Sequence, residues 1–277
     1  MTTIQLGPTT FEGSATTGWV FQELVDWYSL TDDKVGITEK PQSHGAFGSN
    51  RSLRSAAVVS FTAVYLGETA AEVLEAGERM SAALAETSVE MIVTDDLRAT
   101  ARTVSVRVAQ MKDHLGRPNG EFTFDCVARD PRRYSVGDSW ASTGPATSGG
   151  GLVWPAVWPL VWQPGGSDGR VSLENRGSAP SSPVYRLRGG FTKATLTNVD
   201  TAQRIGFVRP VPAGSFVEID TRTRQARIDG QSDVSRYLTI REWWDVAPYS
   251  TTRVQLDLDD SDETAGLDAM VRSAWFA

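Results

Sequence analysis

EIDTRTRQARIDG, residues 218–230, reads as two short strands folded back on each other. Ile219 on one side and Ala226 with Ile228 on the other flank a polar turn at 220–223. Asp220 opens that turn and Asp229-Gly230 closes the unit, residue types whose side chains or backbone freedom favour turns. The unit is therefore a β-hairpin. Reading outward from it, short apolar runs recur at even intervals, at 171–174, 184–188, 194–199, 204–208, 216–220, 225–229, 237–242, 253–258 and 270–276. Turn signals separate them, among them Asn175 to Gly177, Pro212 to Gly214 and Asp229-Gly230. Many short strands at this spacing, with no intervening helix pattern, predict a two-sheet sandwich over residues 167–277.

Residues 1–133 predict a second β domain, with one helix. Strands are expected at 19–28, 56–65, 89–93, 102–110 and 121–127. In the fourth, Val104, Val106 and Val108 alternate with polar residues and belong on one face. Between the second and third strands, ETAAEVLEAGERMSAALAE changes period. Ala70, Val73, Leu74, Met80 (or Ser81) and Leu84 recur at helical spacing, so a helix is expected at about 69–86. Thr69 followed by Glu72 fits a capping box. Gly77 in the middle costs about 1 kcal/mol relative to Ala, and allows close packing on a sheet. Lys112 to Gly120 closes on Pro118-Asn119-Gly120, a hairpin signal.

Residues 134–166 divide the halves. SVGDSWASTGPATSGGG is poor in large apolar side chains and reads as a linker. GLVWPAVWPLVWQPGG follows, with Trp154, Trp158 and Trp162 four residues apart. That spacing would line up on a helix, but Pro155 and Pro159 would each delete a backbone bond and clash. The residues before them favour extended backbone. The stretch is expected to form an extended or turning arm. Burying even one Trp is worth about 2–3 kcal/mol, so the three are expected to pack on this chain, on a neighbouring copy, or under a sugar.

Composition excludes several functions. The formal net charge of −7 argues against gripping a phosphate backbone. One cysteine, Cys126, permits no internal disulfide and reads as a small apolar strand residue. The N-terminal MTTIQLGPTTFEG has neither the basic start nor the apolar run of a signal peptide, and no segment offers the ~20 apolar residues of a membrane span. His44 and His114 are the two histidines, and neither has a ligand partner at metal-binding spacing. Asp220 and Asp229 could be imagined as a glycosidase pair, but both read as turn residues. The acidic run from Asp257 to Glu263 lacks the order of a calcium loop. No enzyme, metal or cofactor is expected.

The same stretches carry a family resemblance. GLVWPAVWPLVW, GRVSLENRGSAPSSPVYRLRG, TNVDTAQRIGF, AGSFVEIDTRTRQARIDG and EWWDVAPYSTTRVQL resemble, in that order, the C-terminal part of siphovirus distal tail proteins. HGAFGSNRSLRSAAVVSFTAVYLGETAAEVLEAGERMSAAL is similar to their N-terminal glycine loop, strand and helix. The resemblance implies a virion structural protein of the tail tip, in a homo-oligomeric ring commonly of six copies that joins the tail tube protein to the tail-tip hub protein. It implies a β-barrel-like N-terminal domain with one helix, which forms the ring, and a galectin-like β-sandwich outside it. It carries no catalytic residues, no cofactor, no sequence-specific nucleic acid binding and no membrane insertion. The alternative is a lectin-like host-recognition module. Outside the arm, its aromatic platform would have to be Trp243 or Trp244, beside Arg241 and Glu242. Adjacent strand residues point to opposite faces, so at most one of the two tryptophans could serve.

Overall fold

The computed structural model describes residues 2–13, 18–34, 38–47, 53–110, 118–147, 158 and 167–276. The chain divides into two units, Met1–Val136 with Trp275–Ala277, and Gly137–Ala274.

The first unit contains β1 (Thr3–Leu6), β2 (Thr9–Phe11), β3 (Trp19–Val25), the short pair β4 (Thr38–Glu39) and β5 (Ala46–Phe47), then β6 (Ala57–Leu66). Helix α1 (Ala70–Leu84) follows, then β7 (Val89–Thr94), β8 (Ala99–Gln110), β9 (Asn119–Ala128) and β10 (Arg133–Ser135). The main sheet runs β2-β1-β7-β8-β9-β6-β3 with antiparallel neighbours throughout. Its ends meet: Glu12, just after β2, bridges in parallel to Val20 of β3, and the Phe21 N–H donates to the Glu12 carbonyl at 2.8 Å. That contact closes the sheet into a barrel, which leaves no long unpaired edge.

Strict alternation fills the inner face. Phe122, Phe124 and Cys126 of β9 are buried, as are Val59, Phe61 and Ala63 of β6. Phe11 meets Trp19, Phe61 and Phe124 edge-on, and Phe61 stacks on Phe124 with centroids 4.4 Å apart. Such pairs add about 0.5–1.5 kcal/mol each beyond area burial. Val104 is buried and Val106 and Val108 pack on the same core, as the alternation requires.

Thr69 caps α1, its Oγ1 accepting from the Glu72 N–H at 3.3 Å. Glu72 returns its carboxylate to the Glu68 N–H, one residue earlier than in a capping box. The buried face is Val73, Ala76, Gly77, Met80 and Leu84. Leu74, expected on that face, is half exposed, because the barrel contacts α1 through the stripe centred on Gly77. Strands β1, β2 and β10 were not among the expected elements, and β3 ends at Val25 rather than at 28. Asp26 there has φ 62°, which stops the strand and turns Trp27 into the core.

The second unit holds β11 (Trp140–Thr143), β12 (Arg170–Asn175), β13 (Val184–Arg188), β14 (Phe191–Asn198), β15 (Arg204–Val211), β16 (Phe216–Asp220), β17 (Gln225–Ile228) and β18 (Ser232–Asp233). A 3-10 turn (Ser235–Tyr237) leads to β19 (Leu238–Arg241), β20 (Ser250–Asp259) and β21 (Gly266–Met270); the last strand of the chain, β22 (Ala274–Trp275), pairs with β10. One sheet has the order β11-β21-β13-β16-β17-β18 and the other β12-β20-β14-β15-β19. Their facing side chains, among them Leu173, Tyr185, Leu196, Phe207, Val217, Ile219, Val254 and Leu267, form one core. This is an antiparallel sandwich, and the protein is mainly β.

The largest differences from the sequence reading lie at β11 and at the C-terminal strands. Trp140–Thr143, inside the segment read as linker, is a strand paired with β21 from Trp140↔Met270 to Thr143↔Leu267. The strand expected at 270–276 is instead β21 followed by β22, and Trp275 belongs with the barrel unit, where β22 pairs with β10. Both follow from GLDAM: Gly266, Leu267 and Ala269 are buried between β11 and β13, so the strand lies earlier than its apolar neighbours suggested.

Candidate functional site

The groups that could do chemistry are occupied in holding loops. Asp220 Oδ1 accepts from the Arg222 and Thr223 N–H groups, and its Oδ2 from the Thr223 hydroxyl at 2.9 Å. Asp229 Oδ1 accepts from the Phe216 N–H at 2.9 Å. Asp220 caps its own turn, as its sequence context predicts, and Asp229, in the turn after β17, fastens that turn to the start of β16. In the acidic run, Asp259 pairs with Lys193 at 3.0 Å, Asp260 accepts from Thr192, and Asp262 accepts from the Thr264 N–H and hydroxyl. Among the described residues no group of three or more His, Cys, Asp or Glu is placed to hold a metal ion. His44 is exposed, and His114 lies outside the described residues. Cys126 is fully buried, and desolvation, helped by the charge of Asp125, pushes its thiol up to about 12. A cleft of about 260 Å³ beside α1 is lined by Thr9, Trp19, Tyr65, Arg79 and Met80 among others. It brings no acid and base together.

Of the tryptophans of the arm, Trp154 and Trp162 lie outside the described residues, and Trp158 is 83% exposed. The other pair lies just after β19, in irregular backbone, and its two rings are buried to different degrees. Trp244 is 6% exposed, part of the sandwich core, with its ring centroid 5.9 Å from that of Tyr185. It cannot present a face to a sugar. Trp243 is half-buried and packs on the same core. The Arg241 guanidinium is turned to the backbone, donating from Nε to the Leu238 carbonyl at 2.9 Å and from Nη2 to the Ser235 carbonyl at 3.0 Å. These three residues do not form a common platform.

Sequence reasoning missed a pair of buried cations in the barrel. Arg102 shares the inward parity of Val104 and is 1% exposed. Its guanidinium lies 4.9 Å from the Trp27 ring and donates to the Trp27 and Pro131 carbonyls. Burial first, and then the charge of Arg133, push Arg102 down to about 10, against the pull of Asp130. Arg133, 3% exposed, lies over the Tyr28 ring at 4.7 Å. Tyr28 donates to Asp95 at 2.5 Å, and Asp95 in turn caps the β7–β8 hairpin through the Leu97 and Arg98 N–H groups. These groups order the base of a hairpin whose tip, Leu97, is 86% exposed. A charged residue at an inward position of a strand was the available signal.

The barrel also offers apolar side chains to its surroundings. Val58 of β6 and Val127 of β9 sit directly opposite each other and point outward, 57% and 41% exposed. Ser60 and Asp125, the next outward pair, are joined by a 3.0 Å hydrogen bond. Leu74 on α1 and Leu97 at the hairpin tip add to the exposed apolar surface of this unit.

No family model and no curated protein sequence matches this chain. Solved structures do. The SPP1 Dit (gp 19.1) protein, described as a paradigm of the hub adsorption apparatus in phages infecting Gram-positive bacteria, superposes with a TM-score of 0.67 at 12% identity, covering 99% of each chain. Chains of the phage P2 baseplate in its activated conformation are similar too. With Ca the TM-score is 0.56 at 11% identity, covering 99% of this chain and 98% of that one. With Sr it is 0.56 at 11%, covering 98% of both. At these identities what is shared is the fold. The resemblance to siphovirus distal tail proteins thus extends from short motifs to the architecture of the whole chain, which has the fold of a phage Dit protein.

Proposed function

We propose that this chain is a structural protein of a phage tail tip, a homo-oligomer that joins the end of the tail tube to the tail-tip hub and does no catalysis. One observation carries the reading: a two-unit fold shared with a phage hub protein over 99% of both chains. In the family it resembles, six copies close a ring through the barrel domain. The exposed pair Val58 and Val127 and the hairpin tip Leu97 supply apolar surface on that domain for a neighbouring copy to cover. The arm bearing Trp154, Trp158 and Trp162 is a second contact in this scheme, with a neighbouring copy as its acceptor.

The sugar-binding reading loses support, since Trp244 is core and Arg241 is bonded to backbone. Light scattering on the purified chain at high concentration, with negative-stain images of the same fraction, tests the proposal. A closed ring is expected, on its own or when the tail tube and hub proteins are added. A chain that stays monomeric in the presence of both would overturn it.

A further inference from the structure

We propose that the cleft beside α1 receives Trp158 from the arm of a neighbouring copy, an assignment that rests on the homo-oligomeric reading and names the acceptor of its arm. The arm starts and ends on the sandwich unit. The Thr147 N–H donates to the Ser167 carbonyl at 2.9 Å, and the Ser167 N–H to the Thr147 hydroxyl at 3.1 Å. Residues 148–166 therefore depart from and return to one pinned place. Trp158 stands near their middle, eleven residues after Thr147 and nine before Ser167. Such a length of chain can carry its midpoint up to about 30 Å from the base, so of the three tryptophans Trp158 has the longest reach. It is 83% exposed.

The cleft lies wholly within the barrel unit and holds about 260 Å³. Sites for drug-sized ligands and cofactors begin near about 300 Å³, so this one suits a single large side chain. Trp19 and Tyr65, whose rings meet edge-on 5.0 Å apart, line it with Ala76, Met80 and Ala83. Aromatic rings and a thioether are favourable neighbours for an indole. Among the described residues no carboxylate lines it. Arg79 does, and it is exposed. Among the described residues its guanidinium makes no ion pair or hydrogen bond, although Glu75 stands one helical turn away. It is available to lie over a bound indole, the ring that pairs best with a cation.

The arm is made to be covered. Residues 148–166 contain no charged side chain, so burying them against a partner strips water from no ion. Pro155 and Pro159 flank Trp158 and fix part of the backbone in advance, which reduces the entropy lost on docking. Arm and cleft belong to different units, so one copy's arm in the next copy's cleft is a head-to-tail contact. Repeated around an axis, it fills every cleft with an arm and closes a ring.

The test is fluorescence polarisation of a labelled peptide of residues 151–165, titrated with the full-length Trp158→Ala chain, which keeps the cleft without a competing anchor. Saturable binding is expected, at least about tenfold weaker when the peptide itself carries Trp158→Ala. Adding Ala83→Trp to the chain fills the cleft from an exposed helix position and should abolish binding with unchanged melting. Arg79→Gln should lose a smaller but measurable part. Ala82→Trp, one residue earlier and outside the lining, should change nothing. Full-length Trp158→Ala and Ala83→Trp chains, one lacking the anchor and the other the cleft, should pair when mixed but not separately, read by light scattering. A peptide that does not bind, or binds Ala83→Trp equally, overturns the cleft as acceptor and leaves the tail-tip reading standing. Peptide binding without rescue on mixing overturns the neighbouring copy as donor. A chain that binds the peptide yet stays monomeric with the tail tube and hub proteins overturns the tail-tip reading, and the neighbouring copy with it.

Discussion

Gly77 of α1 lies flat against the ring of Phe122 on β9: a Cβ placed there would stand 2.6 Å from Cε1. The helix can approach the barrel only because that position has no side chain. Phe122 cannot yield easily, being 1% exposed and in edge contact with Trp19 at 5.1 Å. Gly77→Ala would gain about 1 kcal/mol of helix propensity, and overpacking costs typically 1–3 kcal/mol. A net destabilisation of up to about 2 kcal/mol is expected in urea unfolding followed by circular dichroism. A variant as stable as the parent would show that the helix does not seat there.

Asn175 ties three separated segments of the sandwich. Its Nδ2 donates to the carbonyls of Ala179, Val246 and Ala247 at 2.8 to 3.2 Å, and its Oδ1 accepts from the Gly177 and Ala274 N–H groups. A Cβ on Gly177 would collide with the Ala274 backbone, which is the physical content of the Asn-x-Gly ending of β12. Asn175→Ala strands buried carbonyls at about 1–3 kcal/mol each and should cost at least ~3 kcal/mol. Thermal unfolding of the two proteins side by side measures it.

Stability should fall on the alkaline side. Burial raises the Cys126 thiol from the ordinary 9.0 to about 12. Desolvation and then the hydrogen bond to Asp95 raise Tyr28 from 10.0 to about 12. Both groups lose their proton earlier in the unfolded chain than in the folded one. Their stabilising contributions are therefore intact below pH 9.0 and 10.0 respectively, and disappear as pH rises towards about 12. The urea midpoint should drop over that range. Tyr28→Phe should flatten its upper part, and Ellman's reagent at pH 8 should find Cys126 only after denaturation.

Val58→Glu places a charge in the outward Val58–Val127 pair. Because Val58 is 57% exposed, the unfolding free energy of the separated chain should be unchanged within about 0.5 kcal/mol. The oligomer mass by light scattering should fall. An intact oligomer would move the subunit contact elsewhere on the barrel.

Trp158→Ala tests the arm. With 83% of the side chain exposed, no loss of secondary structure is expected, but assembly should weaken. Unchanged assembly would retire the arm as a subunit contact.

The hairpin at 218–230 was legible because its determinants are neighbours in the chain. Asp220 bonds the backbone two and three residues on, and Ile219 faces Ala226 across a register set by that turn. The start of α1 was legible for the same reason, as Thr69 caps the Glu72 N–H and Glu72 the Glu68 N–H, all within one turn. Whether Leu74 or Gly77 faces the barrel was not, because period places a stripe only to within one residue and Phe122 of a distant strand chooses.

Closure of the barrel depends on Glu12 meeting Val20, and neither residue advertises it. Arg102 broke the apolar pattern at an inward position, and its acceptors are the carbonyls of Trp27 and Pro131, 75 and 29 residues away. Trp243 and Trp244 had equal claims to the surface until Tyr185 took one of them into the core. Turn chemistry and periodicity are local energies, written in a few consecutive residues. Burial and closure are non-local, and they exist only once distant strands have paired.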